Sequence, residues 1–187
     1  QVFTADFGKT SYMVPLSKGK RSKINRALFS PLSIIDMEVE HVPLRQLHRL
    51  KEVRRRYPLY NINVDVVKLS IVLFISEFLS KVLQETVENS HSTYQFIESS
   101  IMILEEKEGG LANFHLVFMF LLSQLLGVTP NLNDYTARSY FDLMNGEFTQ
   151  SKPLHTHYLD YNQSRFLYNF RRVAYYNMHL FRLSKND

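Results

Sequence analysis

Apolar and polar positions at the beginning of the chain follow the pattern of β-strands separated by turns. The segment QVFTADFGKTSYMVPL has strand-forming runs on either side of residues 6–8, which predicts two strands joined by a tight turn with glycine at its demanding position. Residues 34–42 predict a further strand, and the polar residues that alternate in part with its apolar ones are Asp36, Glu38 and Glu40. Pro31 restricts the beginning of this segment to an edge or a bulge.

The next segment, LRQLHRLKEVRRRY, fits two structures. Its apolar residues stand three apart, which suits a helix, and they are Leu44, Leu47, Leu50 and Val53. One further β-strand is the alternative, because a segment this short does not reveal its period. Both interpretations stay open at this point.

From Pro58 onward the spacing of apolar residues becomes helical. Asp65 is expected to cap the N-terminus of a helix over KLSIVLFISEFLSKVLQETVEN. The apolar face of this helix is predicted to consist of Ile71, Phe74, Ile75, Phe78, Leu79 and Val82. A second helix, STYQFIESSIMILEEK, is expected to end at Gly109 and Gly110.

The last third of the chain predicts two more helices. Residues 111–126 form one of them, stopped by Gly127 and Pro130. Residues 131–160 are expected to be irregular, and residues 162–187 to form a final amphipathic helix. The sum is an α+β chain with a small β domain over residues 1–60 and a helical domain over residues 61–187.

Composition excludes several classes of protein. There is no cysteine, so disulfide frameworks, cysteine-ligated zinc sites and thiol nucleophiles are absent. No secretory signal is visible at the N-terminus. The most apolar stretch, residues 111–128, has His115 as its one ionisable residue, but it is shorter than the roughly 20 residues of a membrane span and polar residues interrupt it. It is therefore interpreted as a buried helix.

Catalytic patterns are not found in the chain. No nucleophile-elbow, zinc-protease, P-loop or dinucleotide-binding motif occurs, so the chain is not expected to be an enzyme. His155, His157 and Asp160 form a weak candidate for a metal site. His115 is expected to be a core histidine. A solvated acidic surface is expected at a helix end, formed by Glu105, Glu106 and Glu108.

The distribution of charge favours a polyanionic partner. Residues 1–60 hold 12 Lys and Arg against 5 Asp and Glu, a net charge of +7, whereas residues 61–187 hold 10 against 13, a net charge of −3. One cluster consists of Lys9, Lys18, Lys20, Arg21, Lys23 and Arg26. A second consists of Arg45, Arg49, Lys51, Arg54, Arg55 and Arg56. Such clusters suit phosphate contacts, and nearby aromatic faces on which bases could stack are those of Phe3, Phe7 and Tyr12.

Two further hypotheses remain. The long apolar helices suit a helical adaptor that docks an acidic partner peptide and has no affinity of its own for DNA. A metal-assisted nuclease would need a carboxylate cluster, which the spacing of acidic residues does not provide.

Six blocks of the sequence, in order through nearly the whole chain, resemble the RecO family of DNA repair proteins in the form found in the Bacteroides group. They are FGKTSYMVP, RSKINRALFSPLSIIDMEVEH, LHRLKEVRRRYP, KLSIVLFISEFLSKVL, NFHLVFMFLLSQLLGVTPNL and YFDLMNGEF. The resemblance implies an N-terminal OB-fold, an α-helical C-terminal domain and a non-enzymatic recombination mediator of the bacterial cytoplasm, associated with the nucleoid.

The resemblance also implies partners and binding residues. RecO proteins bind single- and double-stranded DNA, anneal complementary strands and work with RecR, and in some bacteria RecF, to load RecA onto DNA coated by single-strand-binding protein. The DNA contacts implied here are Lys9, Lys18, Lys20, Arg21, Lys23, Arg26, Arg49, Arg54, Arg55 and Arg56. The acidic C-terminal tail of single-strand-binding protein is expected near Phe114, Phe118, Leu122, Arg165, Arg171 and Arg172.

Two departures from the family pattern qualify these implications. Some relatives carry a four-cysteine zinc site after the central helix, but the corresponding stretch of this chain has no cysteine, so neither metal nor cofactor is expected. The chain also starts where the family's second strand would be running and stops within the last part of the helical domain. A five-stranded barrel is therefore not expected to close from these residues alone.

Overall fold

The structure is a computed structural model that describes residues 1–14, 26–42, 45, 47–83 and 90–182. The chain divides into two compact units, Gln1–Glu108 and Gly109–Asp187. Strands give way to helices near residue 60, as the hydrophobic pattern indicates, but the first unit also includes the helices that follow its strands. The whole first unit contains 15 Lys and Arg and 13 Asp and Glu, so its net charge is only +2. The excess of positive charge is therefore confined to its strands and loops, within residues 1–60.

The first unit contains a four-stranded sheet. Its strands are β1 (Val2–Thr4), β2 (Gly8–Met13), β3 (Ile35–Glu40) and β4 (Leu47–Arg55), in the order β1-β2-β4-β3. β1 and β2 pair antiparallel, as do β3 and β4, whereas β2 and β4 run parallel. The predicted hairpin at residues 6–8 is confirmed, and Gly8 has a φ of 63°, which is costly for any residue with a side chain.

β4 resolves the ambiguity of residues 44–57 in favour of the strand. His48 and Leu50 are buried, with 5% and 1% exposure, and they alternate with exposed Leu47 and Arg49. Burial at every second residue is the pattern of a strand, whereas a helix would bury residues that lie three or four apart. Pairing to β2 on one side and β3 on the other supplies the backbone hydrogen bonds that hold the segment extended.

Three helices complete the first unit: α1 (Tyr60–Val64), α2 (Val66–Val82) and α3 (Ser90–Glu106). The predicted cap is confirmed, since Asp65 Oδ1 accepts hydrogen bonds from the backbone N–H groups of Val67 and Lys68 at 2.8 and 3.1 Å. The buried face of α2 includes four apolar residues, Ile71, Val72, Ile75 and Leu79. Two residues predicted for that face, Phe74 and Val82, are instead 44% and 37% exposed.

Glu105 is not part of a solvated acidic surface, which corrects the expectation from the sequence. It is buried, and its carboxylate accepts hydrogen bonds from the backbone N–H groups of Asn61 and Ile62 at 2.7 and 2.9 Å. These are donors at the start of α1 that have no partner within the helix. Glu106 and Glu108 are exposed, as expected.

The second unit surrounds the central helix α4 (Phe114–Leu125), which lies where the apolar stretch predicts it. Residues 131–160 are not irregular throughout, because they contain a second sheet of three short strands, β5 (Tyr140–Asp142), β6 (Glu147–Thr149) and β7 (Tyr158–Leu159), in the order β6-β5-β7. Strands of two or three residues are too short to show a period of two in the sequence.

The final helix is shorter than predicted. α5 (Tyr161–Phe170) begins with a capping box, in which Asp160 accepts from the N–H of Gln163 and Gln163 accepts from the N–H of Asp160. The chain then leaves the helix, and the side chain of Asn177 bonds to the N–H of Ala174 at 2.7 Å and to the carbonyl of Arg172 at 3.0 Å. This turn replaces the continuous helix expected over residues 162–187.

The architecture confirms the predicted α+β class. A strand-rich N-terminal part is followed by helices, as expected for an OB-fold followed by a helical domain. The boundary placed at residue 60 stays a prediction, since the compact units divide at Glu108.

Candidate nucleic-acid interface

The first basic cluster lies largely outside the described residues. Lys18, Lys20, Arg21 and Lys23 belong to that part, and so does the side chain of Arg26, whose backbone begins a 3-10 turn at Arg26–Phe29. Their role in binding stays a prediction.

Lys9 is engaged within the first unit. Its Nζ donates hydrogen bonds to the carbonyl oxygens of Ser80 and Leu83, at the C-terminal end of α2. Carbonyls at a helix C-terminus lack partners within the helix and carry partial negative charge, so a lysine is well suited to this place. A phosphate would have to displace both contacts, which makes Lys9 a weaker candidate for DNA binding than its charge alone indicates.

Three arginines of the second cluster also have partners within the first unit. Arg54 Nε lies 3.1 Å from Asp36 Oδ2, and Arg56 Nη1 lies 3.4 Å from Glu98 Oε1. Arg55 donates to the carbonyl of Ala27 at 3.1 Å. The charge of Glu98 is the largest of several influences that raise the pKa of Arg56. The arginines are exposed, so each of these contacts contributes little stability. Each arginine nevertheless has a partner that a phosphate would have to displace.

Carboxylates of β3 face the cations of β4 across the ladder. Asp36 pairs with Arg54, Glu38 with Glu52 and Glu40 with Arg49. Directly opposite residues project from the same face of a sheet, so this face carries four carboxylates against two guanidinium groups at the paired positions. The carboxylates outnumber the cations around Arg54, where Asp36, Glu38 and Glu52 lie, which makes this end of β4 a poorer phosphate site than its beginning, where Arg49 is opposite Glu40. The alternation of acidic residues over residues 34–42 is visible in the sequence. That these acids lie opposite the arginines becomes known only when residues 47–55 are seen to form the neighbouring strand.

The remaining cations of β4 and of the segment before it are accessible. Arg45, Arg49 and Lys51 are exposed, and within the described part of the chain their side chains make no hydrogen bond and no ion pair. The pairing of β3 with β4 shifts between Glu38 and Val39, opposite Lys51, so that Lys51 has no partner residue in the ladder. These three side chains are the part of the second cluster that is accessible to phosphate.

Four rings lie in a row at the end of the sheet where β4 begins. Phe7 stacks on His41 with ring centroids 4.1 Å apart and planes inclined by 11°, and His41 stacks on His48 at 4.1 Å and 18°. Tyr12 is tilted against His48 at 5.9 Å and 48°. We call these four residues the ring row. The two histidines were not predicted as site residues, because only the pairing of β2, β3 and β4 brings them together.

The protonation states of His48 and Tyr12 follow from their burial. Burial lowers the pKa of His48, and a positive charge on His41 would lower it further. His48 Nδ1 lies 3.3 Å from the backbone nitrogen of Val42, and it accepts this hydrogen bond only when it carries no proton. Burial likewise raises the pKa of the Tyr12 hydroxyl. At neutral pH, His48 and Tyr12 are therefore uncharged.

The weak candidate for a metal site does not assemble. His155 Nε2 lies 3.2 Å from Asp142 Oδ2, whereas Asp160 is used as the cap of α5. Among the residues that the structure describes, no three His, Asp or Glu side chains are arranged to hold a metal ion. Burial would raise the pKa of Asp142, but hydrogen bonds from Asn145, Met144 and His155 outweigh it and lower the pKa.

His115 and the apolar stretch around it behave as expected of a core helix. His115 is half-buried on α4, and burial lowers its pKa. Over the described ranges, no helix combines the length and apolarity needed to cross a membrane.

The residues expected near a partner peptide separate into two groups. Phe114, Phe118 and Leu122 are fully buried, with exposures of 0%, 0% and 1%, so a peptide could touch them only if they parted from their neighbours. The accessible members are Arg165, Arg171 and Arg172. The guanidinium of Arg171 lies 4.1 Å from the centre of the Tyr168 ring and donates to its hydroxyl at 2.7 Å. The peptide site remains a proposal.

A cavity of about 400 Å³ lies within the first unit. Apolar side chains of β1, the start of β3, α2 and α3 line most of it, among them Phe3, Ile34 and Leu79. Phe3 is therefore turned toward the interior of this unit, which leaves Phe7 as the most accessible of the three predicted aromatic residues.

Comparison with known proteins assigns the family. The family described as "Recombination protein O C terminal" matches residues 63–186. The chain is 37% identical over 186 residues to the DNA repair protein RecO of Azobacteroides pseudotrichonymphae, with 100% of this chain and 77% of that protein covered. It is 35% identical over 184 residues to that of Phocaeicola vulgatus, covering 98% and 76%, and 37% identical over 190 residues to that of Porphyromonas gingivalis, covering 100% and 77%. The chain therefore belongs to the RecO family of DNA repair proteins.

Proposed function

We propose that this chain is a DNA-binding recombination mediator that carries out no covalent chemistry. It binds single- and double-stranded DNA, anneals complementary strands and, with RecR, helps to load RecA onto DNA coated by single-strand-binding protein, with RecF as a further partner. The membership of the RecO family over the whole chain carries this proposal. Its place of action is the cytoplasm, at the nucleoid.

The phosphate contacts are proposed to come from two places. One is the basic segment with Lys18, Lys20, Arg21 and Lys23. The other is the exposed group of Arg45, Arg49 and Lys51 on and before β4. Point charges on long side chains contact the backbone more readily than base edges, so weak sequence preference and strong salt dependence are expected.

Fluorescence anisotropy of labelled oligonucleotides at several salt concentrations tests DNA binding. A triple variant that combines Lys20→Glu, Arg21→Glu and Lys23→Glu is expected to lower the affinity more than about tenfold for all sequences alike. The slope of log affinity against log salt should fall by about 2 for single strands, since each lost phosphate contact removes about 0.7.

A matched control changes the same amount of charge elsewhere. Arg138, Lys152 and Arg182 are exposed cations of the second unit, and their replacement by Glu should reduce affinity far less than the triple variant does. Equal losses in the two variants would mean that only net charge matters. Unchanged binding in the first would remove the basic segment from the interface.

Strand annealing tests the mediator activity. The chain should accelerate the annealing of complementary strands coated with single-strand-binding protein. Removal of the acidic tail of that protein should abolish this acceleration. A chain that binds the tail-bearing protein but no oligonucleotide would instead be the helical adaptor.

A further inference from the structure

We infer that an unpaired nucleobase stacks on the exposed face of Phe7 and so extends the ring row of Phe7, His41, His48 and Tyr12. This inference rests on the proposed function, because it names the group of single-stranded DNA that the first unit would hold besides phosphate. It goes further in assigning one residue, and one side of its ring, to the base.

The position of Phe7 is fixed before any ligand arrives. Its N–H donates to Thr4 Oγ1 at 3.0 Å, and its carbonyl accepts from Thr10 Oγ1 at 3.2 Å. Thr4 Oγ1 also donates to the carbonyl of Gly8 at 3.1 Å, which closes the turn. These bonds fix the backbone of Phe7 and the stack on His41 restricts its ring, so that Phe7 loses little conformational entropy when a ligand binds.

One face of the Phe7 ring is covered and the other is accessible. His41 lies parallel to Phe7 at 4.1 Å, yet Phe7 is still 45% exposed. The other two aromatic candidates differ in this respect, because Phe3 lines the cavity and Tyr12 is half-buried at the inner end of the row. A flat apolar ligand group can therefore add to the row only at Phe7.

A nucleobase fits the chemistry of this end of the sheet. Stacking of a base on an aromatic side chain contributes about 1 to 3 kcal/mol and tolerates every base, which agrees with the weak sequence preference expected of backbone contacts. Exposed cations for the adjoining phosphates occur in the same unit, since Arg49 and Lys51 lie on β4, the strand that carries His48, and Arg45 precedes that strand.

The absence of tryptophan from the chain makes a direct test possible. Phe7→Trp places a single tryptophan at the proposed contact, and its emission at pH 8 should be quenched by single-stranded DNA. An oligonucleotide of equal length with abasic sites in place of bases should bind through its phosphates without this quenching.

Tyr60→Trp is the matched control, since Tyr60 is 71% exposed in the same unit. The N-terminus of α3 contacts the chain near Phe7, where Ser90 Oγ donates to the carbonyl of Ala5, and its C-terminus contacts α1 through Glu105. The two tryptophans are thus separated by about the length of α3 from Ser90 to Glu105, roughly 22 Å. The emission of Tyr60→Trp should not respond to the bases.

Affinity measurements complete the test. Phe7→Ala should lower the affinity for base-bearing single strands about 5- to 100-fold and leave the affinity for the abasic strand unchanged, and Phe7→Tyr should restore it. If Phe7→Trp binds without quenching and Phe7→Ala binds as the parent protein does, the inference is wrong and the proposed function stands. If the parent protein binds neither strand, the proposed function fails and the inference with it.

Discussion

In the first unit, buried charged side chains connect neighbouring helices through hydrogen bonds to their backbones. In the second unit, neighbouring elements are connected by contacts between aromatic rings. Glu105 and Lys68 connect α1, α2 and α3, and Lys68 Nζ donates to the carbonyl of Glu105 at 2.7 Å. In the second unit, Phe148 of β6 has Phe141, Tyr135 and Tyr168 around it at ring distances of 5.0, 5.3 and 6.5 Å.

This difference bears on how functional residues are recognised. In the first unit, residue type alone misleads, because Glu105 and Lys9 look like surface charges and are used to satisfy helix ends. In the second unit, Phe114 and Phe118 were expected to contact a peptide and are instead buried. Other rings connect the short strands to α5, through the contacts of Tyr140 with Tyr161 and of Phe148 with Tyr168. Burying a charge is stabilising only when its hydrogen bonds are made, whereas rings need only area and suitable orientation.

The largest effect is expected from the aromatic cluster. Phe148→Ala should lower the free energy of unfolding by about 3 to 5 kcal/mol, since a ring that is 8% exposed leaves a cavity behind. Urea unfolding followed by near-ultraviolet circular dichroism measures this. Leu154→Ala, at a fully exposed position, is the control and should change it by less than about 0.5 kcal/mol. A loss below about 1 kcal/mol for Phe148→Ala would contradict the importance assigned to the rings.

A smaller loss is expected from the buried carboxylate of the first unit. Glu105→Ala leaves two backbone donors at the start of α1 without acceptors and should cost about 2 to 3 kcal/mol. The adjacent Glu106 is exposed, and Glu106→Ala should be nearly neutral, within about 0.5 kcal/mol. Equal effects of the two substitutions in urea unfolding would show that Glu105 acts only through the net charge of the helix end.

The smallest effect is expected at the helix caps, since each unit has one helix that begins with a capping aspartate. Asp65 caps α2 and Asp160 caps α5, each accepting two backbone N–H groups. Asp65→Ala and Asp160→Ala should each cost about 1 kcal/mol, and Asn at either position should recover most of it. Thermal unfolding of the four variants compares them. If Asn restores the stability at one cap and not at the other, hydrogen bonds suffice at the first cap and the negative charge is needed at the second.

The sequence predicted the elements whose signals are local. The hairpin around Gly8, the cap at Asp65 and the apolar helix α4 all lie where they were expected, because each depends on neighbours within about one helical turn or one tight turn. The α+β class followed from the order of such segments along the chain, and the family followed from the resemblance of six sequence blocks.

The candidate site was predicted only in part. The cations of β4 were identified by residue type, but the carboxylates opposite them and the partners of Arg54 and Arg56 depend on strand pairing and on contacts with α3. The ring row could not be read from the sequence at all, because Phe7, His41 and His48 are distant in the chain and meet only where β2 and β3 pair with β4.

The sequence by itself therefore determined which segments become strands and helices wherever a turn, a cap or a sustained period marks them, and it determined the family to which they belong. The tertiary structure decided the strand at residues 47–55, the burial of Glu105 and which cations remain accessible. The physical reason is that backbone hydrogen bonds between strands, and the partners of a buried charge, join residues far apart in the chain, so no local pattern specifies them.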